Sequence, residues 1–303
     1  MITFSSIHTT IDVWYQYFGN SAAPQIISEN FTWTKNGNIF ADEVHFHGLK
    51  PNGVISVSDS NVLINYCTFS NCSSNNKGGC VSHTKGESIH VKICCYDCSS
   101  ADDGAYLYNL LSDVKGKRNF IYDSSISNTV SYSDSSFWIE YSKIDINAMN
   151  NSNNFAIMNA FCVVRIGNQN IANFTFCSIN NNSSPAQGIL WSYGLNFWIV
   201  SCEFIQNNQS AIDFGLIYLY AGYGEIRCSI FILNTCYKLF SSSESKVYDS
   251  FFKNNTEKSD SSSSIVSTRN ALPFKFDKFH VSCKYIRYDP NRCMEFINTN
   301  IFY

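Results

Sequence analysis

The sequence predicts an all-β solenoid, a parallel β-helix of about nine or ten coils, on three observations. A short phrase recurs along the chain: a small residue, any residue, then a large apolar one, with Asn or Ser closing a few positions later. Cys67-Thr68-Phe69 is the clearest copy, inside the stretch NVLINYCTFSNCSSNNKGGCVSH; others are Cys94-Cys95-Tyr96, Ser124-Ser125-Ile126, Ser142-Lys143-Ile144, Cys177-Ser178-Ile179, Cys202-Glu203-Phe204, Cys228-Ser229-Ile230 and Ser250-Phe251-Phe252. The step between copies runs from roughly 18 to 35 residues and centres on about 26, inside the window that marks a solenoid. Period-two alternation rich in β-branched and aromatic residues precedes the copies, as at Ile89/Val91/Ile93, Phe120/Tyr122 and Phe197/Ile199. That is a strand signal, and no helical period intervenes.

Taken in order, residues 1–40 form an N-terminal cap or first irregular coil. Trp14, Tyr15, Tyr17 and Phe18 are placed to cover an open end, and Asn30 to Trp33 reads as an early strand. Residues 41–280 form the β-helix, with weaker copies of the phrase at Val44-His45-Phe46 and Asp277-Lys278-Phe279. Residues 281–303 form a C-terminal cap or final strand. A second strand follows each phrase, opened by Gly or another small residue: Gly79-Cys80-Val81, Gly104-Ala105-Tyr106, Ser136-Phe137-Trp138, Gly188-Ile189-Leu190, Gly215-Leu216-Ile217 and Ser264-Ile265-Val266. Strands end in Asn, Ser, Asp or Gly, which make turns and tolerate the left-handed backbone region.

Coils of such a solenoid stack at about 4.8 Å, so equivalent residues lie above one another. Phe46, Phe69, Tyr96, Ile126, Ile144, Ile179, Phe204, Ile230, Phe252 and Phe279 are therefore expected in one inward stack. Burying each contributes roughly 1.5–3 kcal/mol. The small slot predicts a companion ladder of Cys67, Cys94, Ser124, Ser142, Cys177, Cys202, Cys228 and Ser250. The short step from Ser124 to Ser142 and the long one to Cys177 predict a loop or pinched coil within Asn147 to Asn170.

The chain holds 13 cysteines. A slot that accepts Cys or Ser wants a small, faintly polar side chain, which is how a buried free thiol behaves. Neighbouring rungs lie closer than the usual disulfide Cα separation of about 5.5–6 Å, so Cys177, Cys202 and Cys228 are expected to be stacked and reduced. Cys94-Cys95-x-x-Cys98 contains a C-x-x-C, but no second such pair or His pair stands at ligand spacing. The expectation is a structural ladder, with no metal and no cofactor.

Charged residues make up only 15% of the chain and the net charge is -3, with no cluster of Lys or Arg. That argues against a nucleic-acid or anionic-membrane partner. Lys275, Lys278, Lys284, Arg287 and Arg292 are interleaved with acids and read as a solvated end. No run reaches the roughly 18 apolar residues of a membrane-spanning helix. Met1-Ile2-Thr3-Phe4-Ser5-Ser6 lacks the basic and apolar regions of a signal peptide, so taken literally the chain is soluble without a secretion signal.

Phe204-Ile205-Gln206-Asn207, Phe251-Phe252-Lys253-Asn254 and Gly78-Gly79-Cys80-Val81 resemble the paired F-x-x-N and G-G-A-I/L/V motifs of polymorphic outer-membrane-protein repeats. Large protist surface-protein families, notably those of parasitic flagellates, are similar. The resemblance runs from about Phe46 to Phe279. It implies a right-handed parallel β-helix, an extracellular or cell-surface location, and an adhesion role with a glycan or a partner protein as ligand.

Parallel β-helices also resemble pectate lyases and polygalacturonases, which hold paired carboxylates, or carboxylates with calcium beside a basic residue. The candidates for such a site are Asp102-Asp103 before Gly104, with His45 and His47 upstream. The ordered N-T-D, G-H-G and R-x-K set of a polygalacturonase-like site is missing, so Asp102-Asp103 reads as a capped turn. Arg165 and Arg227, alone among apolar residues, read as outward-facing. The expectation is a non-catalytic scaffold for adhesion or binding. The alternatives are a polysaccharide-active β-helix enzyme and a truncated remnant.

Overall fold

A computed structural model describes residues 12–19, 21–111, 117–166, 171–194, 196–220, 223–241, 245–259, 264–265 and 268. Across them the chain winds as a parallel β-solenoid. One coil runs through Thr68–Ser70, Ser73–Ser74, Val81–Thr84 and Ser88–Val91. These four strands belong to sheets here numbered 1 to 4, which hold 9, 8, 8 and 11 strands. The only helix among the described residues covers 12–18.

Coils carrying all four strands run from Thr68–Ser70 to Lys246–Tyr248, giving about 7 turns rather than nine or ten. The excess came from the end copies, since the windings at Phe46 and Phe252 lack one of the four strands among the described residues and Phe279 lies outside them; Ser142-Lys143-Ile144 is a false copy. It lies on sheet 4, so it shares a coil with Ser124-Ser125-Ile126 instead of opening a new one. The parallel winding begins at Gln25–Ile27, ahead of residue 41, while 281–303 lies outside the described residues.

The inward column of sheet 1 is Phe46, Phe69, Cys95, Ile126, Asn151, Ile179, Phe204, Phe231 and Phe252. Its rings stack face to face where Phe meets Phe: Phe46–Phe69 at 5.0 Å, Phe204–Phe231 at 5.1 Å and Phe231–Phe252 at 5.2 Å between centroids. Three expected members are corrected. Tyr96 pairs with Ser70 and Ser127, and Ile230 with Glu203 and Phe251. Each is one residue out of register, and one residue in a strand reverses the face. Ile144 is buried, but in sheet 4 between Asn119 and Ala172. Phe279 lies outside the described residues.

The same slip corrects the small ladder. The position two before the inward column is Val44, Cys67, Ile93, Ser124, Met149, Cys177, Cys202, Ser229 and Ser250. Cys94 instead pairs with Thr68 and Ser125 and takes part in a disulfide. Ser142 precedes the sheet 4 strand Lys143–Asn147. Cys228 occupies a left-handed corner at φ 49°. Cys177 and Cys202 are buried free thiols in successive rungs, the Cys177 amide donating to Cys202 Sγ at 3.4 Å.

The segment expected to be pinched is a regular coil, Asn150–Ser152, Phe155–Ala156 and Asn159–Arg165. Its copy of the phrase is Met149-Asn150-Asn151, in which a buried Asn stands where an apolar residue was sought. The irregularity is a bulge: Ser135 pairs with Asn159 but Phe137 with Cys162, so the later strand carries one extra residue.

Each coil turns on single residues with positive φ. Between sheets 4 and 1 these are Glu43, Tyr66, Lys92, Asp123, Ala148, Phe176, Ser201, Cys228 and Asp249. Between sheets 1 and 2 they are Gly48, Asn71, Asp97, Asn128, Asn153, Asn181, Gln206, Leu233 and Asn254. The second set favours Asn, Asp and Gly, the residues that enter this region at least cost. At Gly78-Gly79 the need is stricter: Gly78 has φ +71°, and a Cβ on Gly79 would stand 2.2 Å from the Ala105 carbonyl oxygen.

Just inside the second corner runs a ladder of buried Asn. Asn207 Oδ1 accepts from the Asn182 amide at 3.0 Å, and Asn207 Nδ2 donates to the Ile179 carbonyl at 2.8 Å. Asn154, Asn182, Asn234 and Asn255 repeat the pattern. Thr129, Cys98 and Cys72 hold the column towards the N-terminus, where the Cys72 thiol donates to the Phe46 carbonyl at 3.7 Å. Buried polar groups are tolerated when their bonds are made, and here each rung satisfies the next.

Trp14, with Val13, Tyr17 and Phe18, packs on Phe40, Leu63 and Ile89 on the outer side of sheet 4 rather than over an end. The Arg118 guanidinium holds it there, pairing with Glu87 at 2.6 Å and donating to the Tyr17 carbonyl at 2.6 Å.

Candidate functional site

Strands of sheet 3 alternate inward apolar residues with outward ones, and parallel register lines the outward residues into two columns. One runs Tyr108, Trp138, Val163, Trp191, Tyr218; the other Leu110, Glu140, Arg165, Tyr193, Tyr220. Inward, Leu107, Phe137, Cys162, Leu190 and Ile217 fill the core and fix the strand faces. The aromatic face is thus a direct product of period-two patterning on stacked coils.

The face divides into a cationic half and a tyrosine half. Lys77 Nζ lies 4.5 Å from the Tyr108 ring centroid and pairs with Asp103 at 2.9 Å. The hydrogen bonds to Asp103 and Tyr108 outweigh partial burial and push its pKa up to about 12. Val163 leaves a step between the two tryptophans, and the Arg165 guanidinium fills it, 4.9 Å from Trp138 and 5.8 Å from Trp191. Glu140 anchors Arg165 at 3.1 Å and accepts from Trp138 Nε1 at 2.6 Å. Beyond it, Trp191–Tyr193 and Tyr193–Tyr220 lie 6.2 and 5.4 Å apart with nearly parallel planes.

Together Tyr141, Arg165, Gln187, Trp191, Tyr193, Phe214, Tyr218 and Tyr220 line an open groove of about 540 Å³. Tyr193 and Tyr220 are 45% and 50% exposed, high for rings in an ordered sheet face. Aromatic walls with a guanidinium, an amide and phenol hydroxyls bind a ligand that is apolar on its faces and hydroxylated at its edges.

Asp103 is buried and ion-paired with Lys77, and Asp102 offers its carbonyl to the Ser100 and Ser131 hydroxyls. Asp103 stands near Asp134 of the following coil, an acid the sequence reading passed over. Burial lifts the Asp134 carboxyl to about 6, against the Asn159 amide that bonds it at 2.7 Å, with the Asp103 charge adding to the rise. His45 and His47 share the Ser70 hydroxyl, at 2.9 and 2.8 Å. Arg227 is outward, bonded to Glu225 at 2.6 Å and 4.5 Å from the Tyr248 ring. Arg165 is outward too, but it belongs to the groove.

The signal that could have found the groove was present: Trp138-x-Glu140, Val163-x-Arg165, Trp191-x-Tyr193 and Tyr218-x-Tyr220 recur at coil spacing. Without the register, nothing in the sequence tells which member of each alternation faces out. No helix among the described residues is long and apolar enough to cross a membrane. No protein-family model, curated protein or solved structure matches the chain.

Proposed function

We propose that this protein is a non-catalytic β-solenoid scaffold that binds a glycan along the outer face of sheet 3. The observation that carries the reading is the Trp191–Tyr193–Tyr220 wall, its two tyrosines exposed, beside Arg165 and Gln187. Coils repeat at about 4.8 Å, close to the length of one hexose residue, so an extended sugar chain running along the axis meets a similar contact at each coil. Tyr and Trp supply apolar area with little entropy cost, and a half-exposed guanidinium supplies paired donors for ring hydroxyls or a uronate. An adhesion role at a cell surface, which the resemblance to polymorphic outer-membrane-protein repeats implies, fits such a face.

The test is a glycan array probed with the full chain, followed by calorimetric titration of the best ligand. Trp191→Ala and Tyr193→Ala are expected to weaken binding about tenfold each, since a stacked aromatic contributes roughly 0.5–1.5 kcal/mol beyond the area it buries. Binding that survives both substitutions places the ligand elsewhere and ends this reading.

A second reading is favoured by one observation, the pairing of a raised acid, Asp134, with a neighbouring ion-paired carboxylate, Asp103. Hydrolysis of a glycosidic bond uses such a division between a protonated acid and a carboxylate. Release of reducing ends from any bound glycan, lost in Asp134→Asn and in Asp103→Asn, would replace the scaffold by an enzyme. Binding without release supports the scaffold.

A further inference from the structure

The interior of the second and third coils departs from the rest of the solenoid in one respect: it gathers thiols. Cys95 takes the place in the inward column that Phe69 and Ile126 hold on either side. Cys98 and Cys72 occupy the column that Asn154, Asn182, Asn207, Asn234 and Asn255 hold further along. Cys80 enters from the opposite wall, at the start of sheet 3. The sulfurs of Cys80, Cys95 and Cys98 all lie within 4.8 Å of one another, and Cys80 Sγ is 3.7 Å from Cys95 Sγ. Cys72 stands one rung before Cys98 in the same column. All four are free thiols excluded from solvent.

We propose that Cys80, Cys95 and Cys98, with Cys72 as an adjoining fourth ligand, form a core site for one closed-shell thiophilic metal ion, Zn²⁺ or Cu⁺. A tetrahedral zinc–thiolate centre with Zn–S bonds of about 2.3 Å has sulfur–sulfur edges of about 3.8 Å, close to the separation of Cys80 and Cys95. A three-thiolate set equally suits Cu⁺, which soft sulfur ligands select. As each metal–sulfur bond forms, the thiol gives up its proton to solvent, and no group changes oxidation state. Cys177 and Cys202 are spread one to a rung, whereas here two successive rungs of the asparagine column and one rung of the inward column all carry thiols.

The site is enclosed, so the ion enters as the coils form. The full chain is therefore expressed in separate media supplemented with Zn²⁺, Cu⁺ under reducing conditions, or Co²⁺ as a spectroscopic substitute. The folded protein is dialysed against chelator and its metal content measured. About one equivalent of zinc or of copper is expected to persist, and the arm that retains it identifies the ion. In the cobalt arm, a near-ultraviolet thiolate-to-metal band and visible bands of tetrahedral intensity are expected. Cys72→Asn combined with Cys98→Asn installs the side chain that the same column uses elsewhere. It is expected to lower retained metal at least about tenfold, while Cys162→Ser, a buried free thiol outside the group, leaves it unchanged. Less than about a tenth of an equivalent in the folded wild type overturns the proposal. So does metal content that the double variant retains, or a native Cys80–Cys95 disulfide found by mass spectrometry. If the double variant does not fold, the wild type decides alone: retention below about a tenth of an equivalent in both the zinc and the copper arm sinks the site.

Discussion

Replacing Asn207 by Ala tests the asparagine ladder where its bonding is complete. Asn207 Oδ1 accepts from the Asn182 backbone N–H at 3.0 Å and from Asn182 Nδ2 at 3.1 Å. Its Nδ2 donates to the Ile179 carbonyl at 2.8 Å and to Asn234 Oδ1 at 3.1 Å. Asn182 is 1% exposed, so after the substitution water does not reach its orphaned amide. One buried unsatisfied donor costs about 1–3 kcal/mol, and the lost bonds to neighbours add roughly 0.5–1.5 kcal/mol each, partly overlapping. The expected loss is about 2–4 kcal/mol, read as a fall in the urea midpoint at unchanged slope. Asn181→Gly is the matched control. Asn181 is the exposed corner residue at φ 51°, and Gly keeps that backbone region open, so a change within about 1 kcal/mol is expected. If Asn207→Ala costs under about 0.5 kcal/mol, the ladder is not holding the coils together and the reasoning fails.

Other expectations follow from the same structure. Phe231→Ala should cost about 3–5 kcal/mol and Ile232→Ala under about 1 kcal/mol, because Phe231 is fully buried and Ile232 is not; equal costs would refute the register. Gly79→Ala should destabilise by about 1–3 kcal/mol, since its Cβ would meet the Ala105 carbonyl at 2.2 Å; a silent substitution would contradict that approach. Asp134 rises in the folded state from 3.8 to about 6, so it favours the fold below pH 3.8 and loses that contribution as pH climbs through about 6. The difference is at most about 3 kcal/mol, and Asp134→Asn should therefore raise stability at pH 7 relative to wild type and flatten the difference between pH 4 and 6. Buried His83 and His90, lowered to about 4 and about 3 by desolvation, act with the opposite sign, losing stability as pH falls below 6.5. Because the histidines are common to both proteins, the comparison of Asp134→Asn with wild type isolates the carboxyl, and a parallel pH profile for the two would exclude its burial.

The architecture was legible in the sequence because its cause is local and repeated. Alternation at period two sets strands, Asn and Asp at fixed intervals set left-handed corners, and repetition sets stacking. Phe46, Phe69, Ile126, Ile179, Phe204 and Phe252 could be aligned because each is the one large apolar residue its strand offers the core. Where two readings of the phrase fit, as at Ile93-Cys94-Cys95 against Cys94-Cys95-Tyr96, only the pairing with Phe69 and Ile126 chose between them. Asn151 was invisible for the converse reason: a buried amide in the core column looks, in sequence, like one more turn residue. The aromatic groove and the thiol cluster join side chains from different coils. A sequence states which residues a coil offers to its two faces, but which of them meet is set by the register between coils, and that is a property of the stack and not of any one strand.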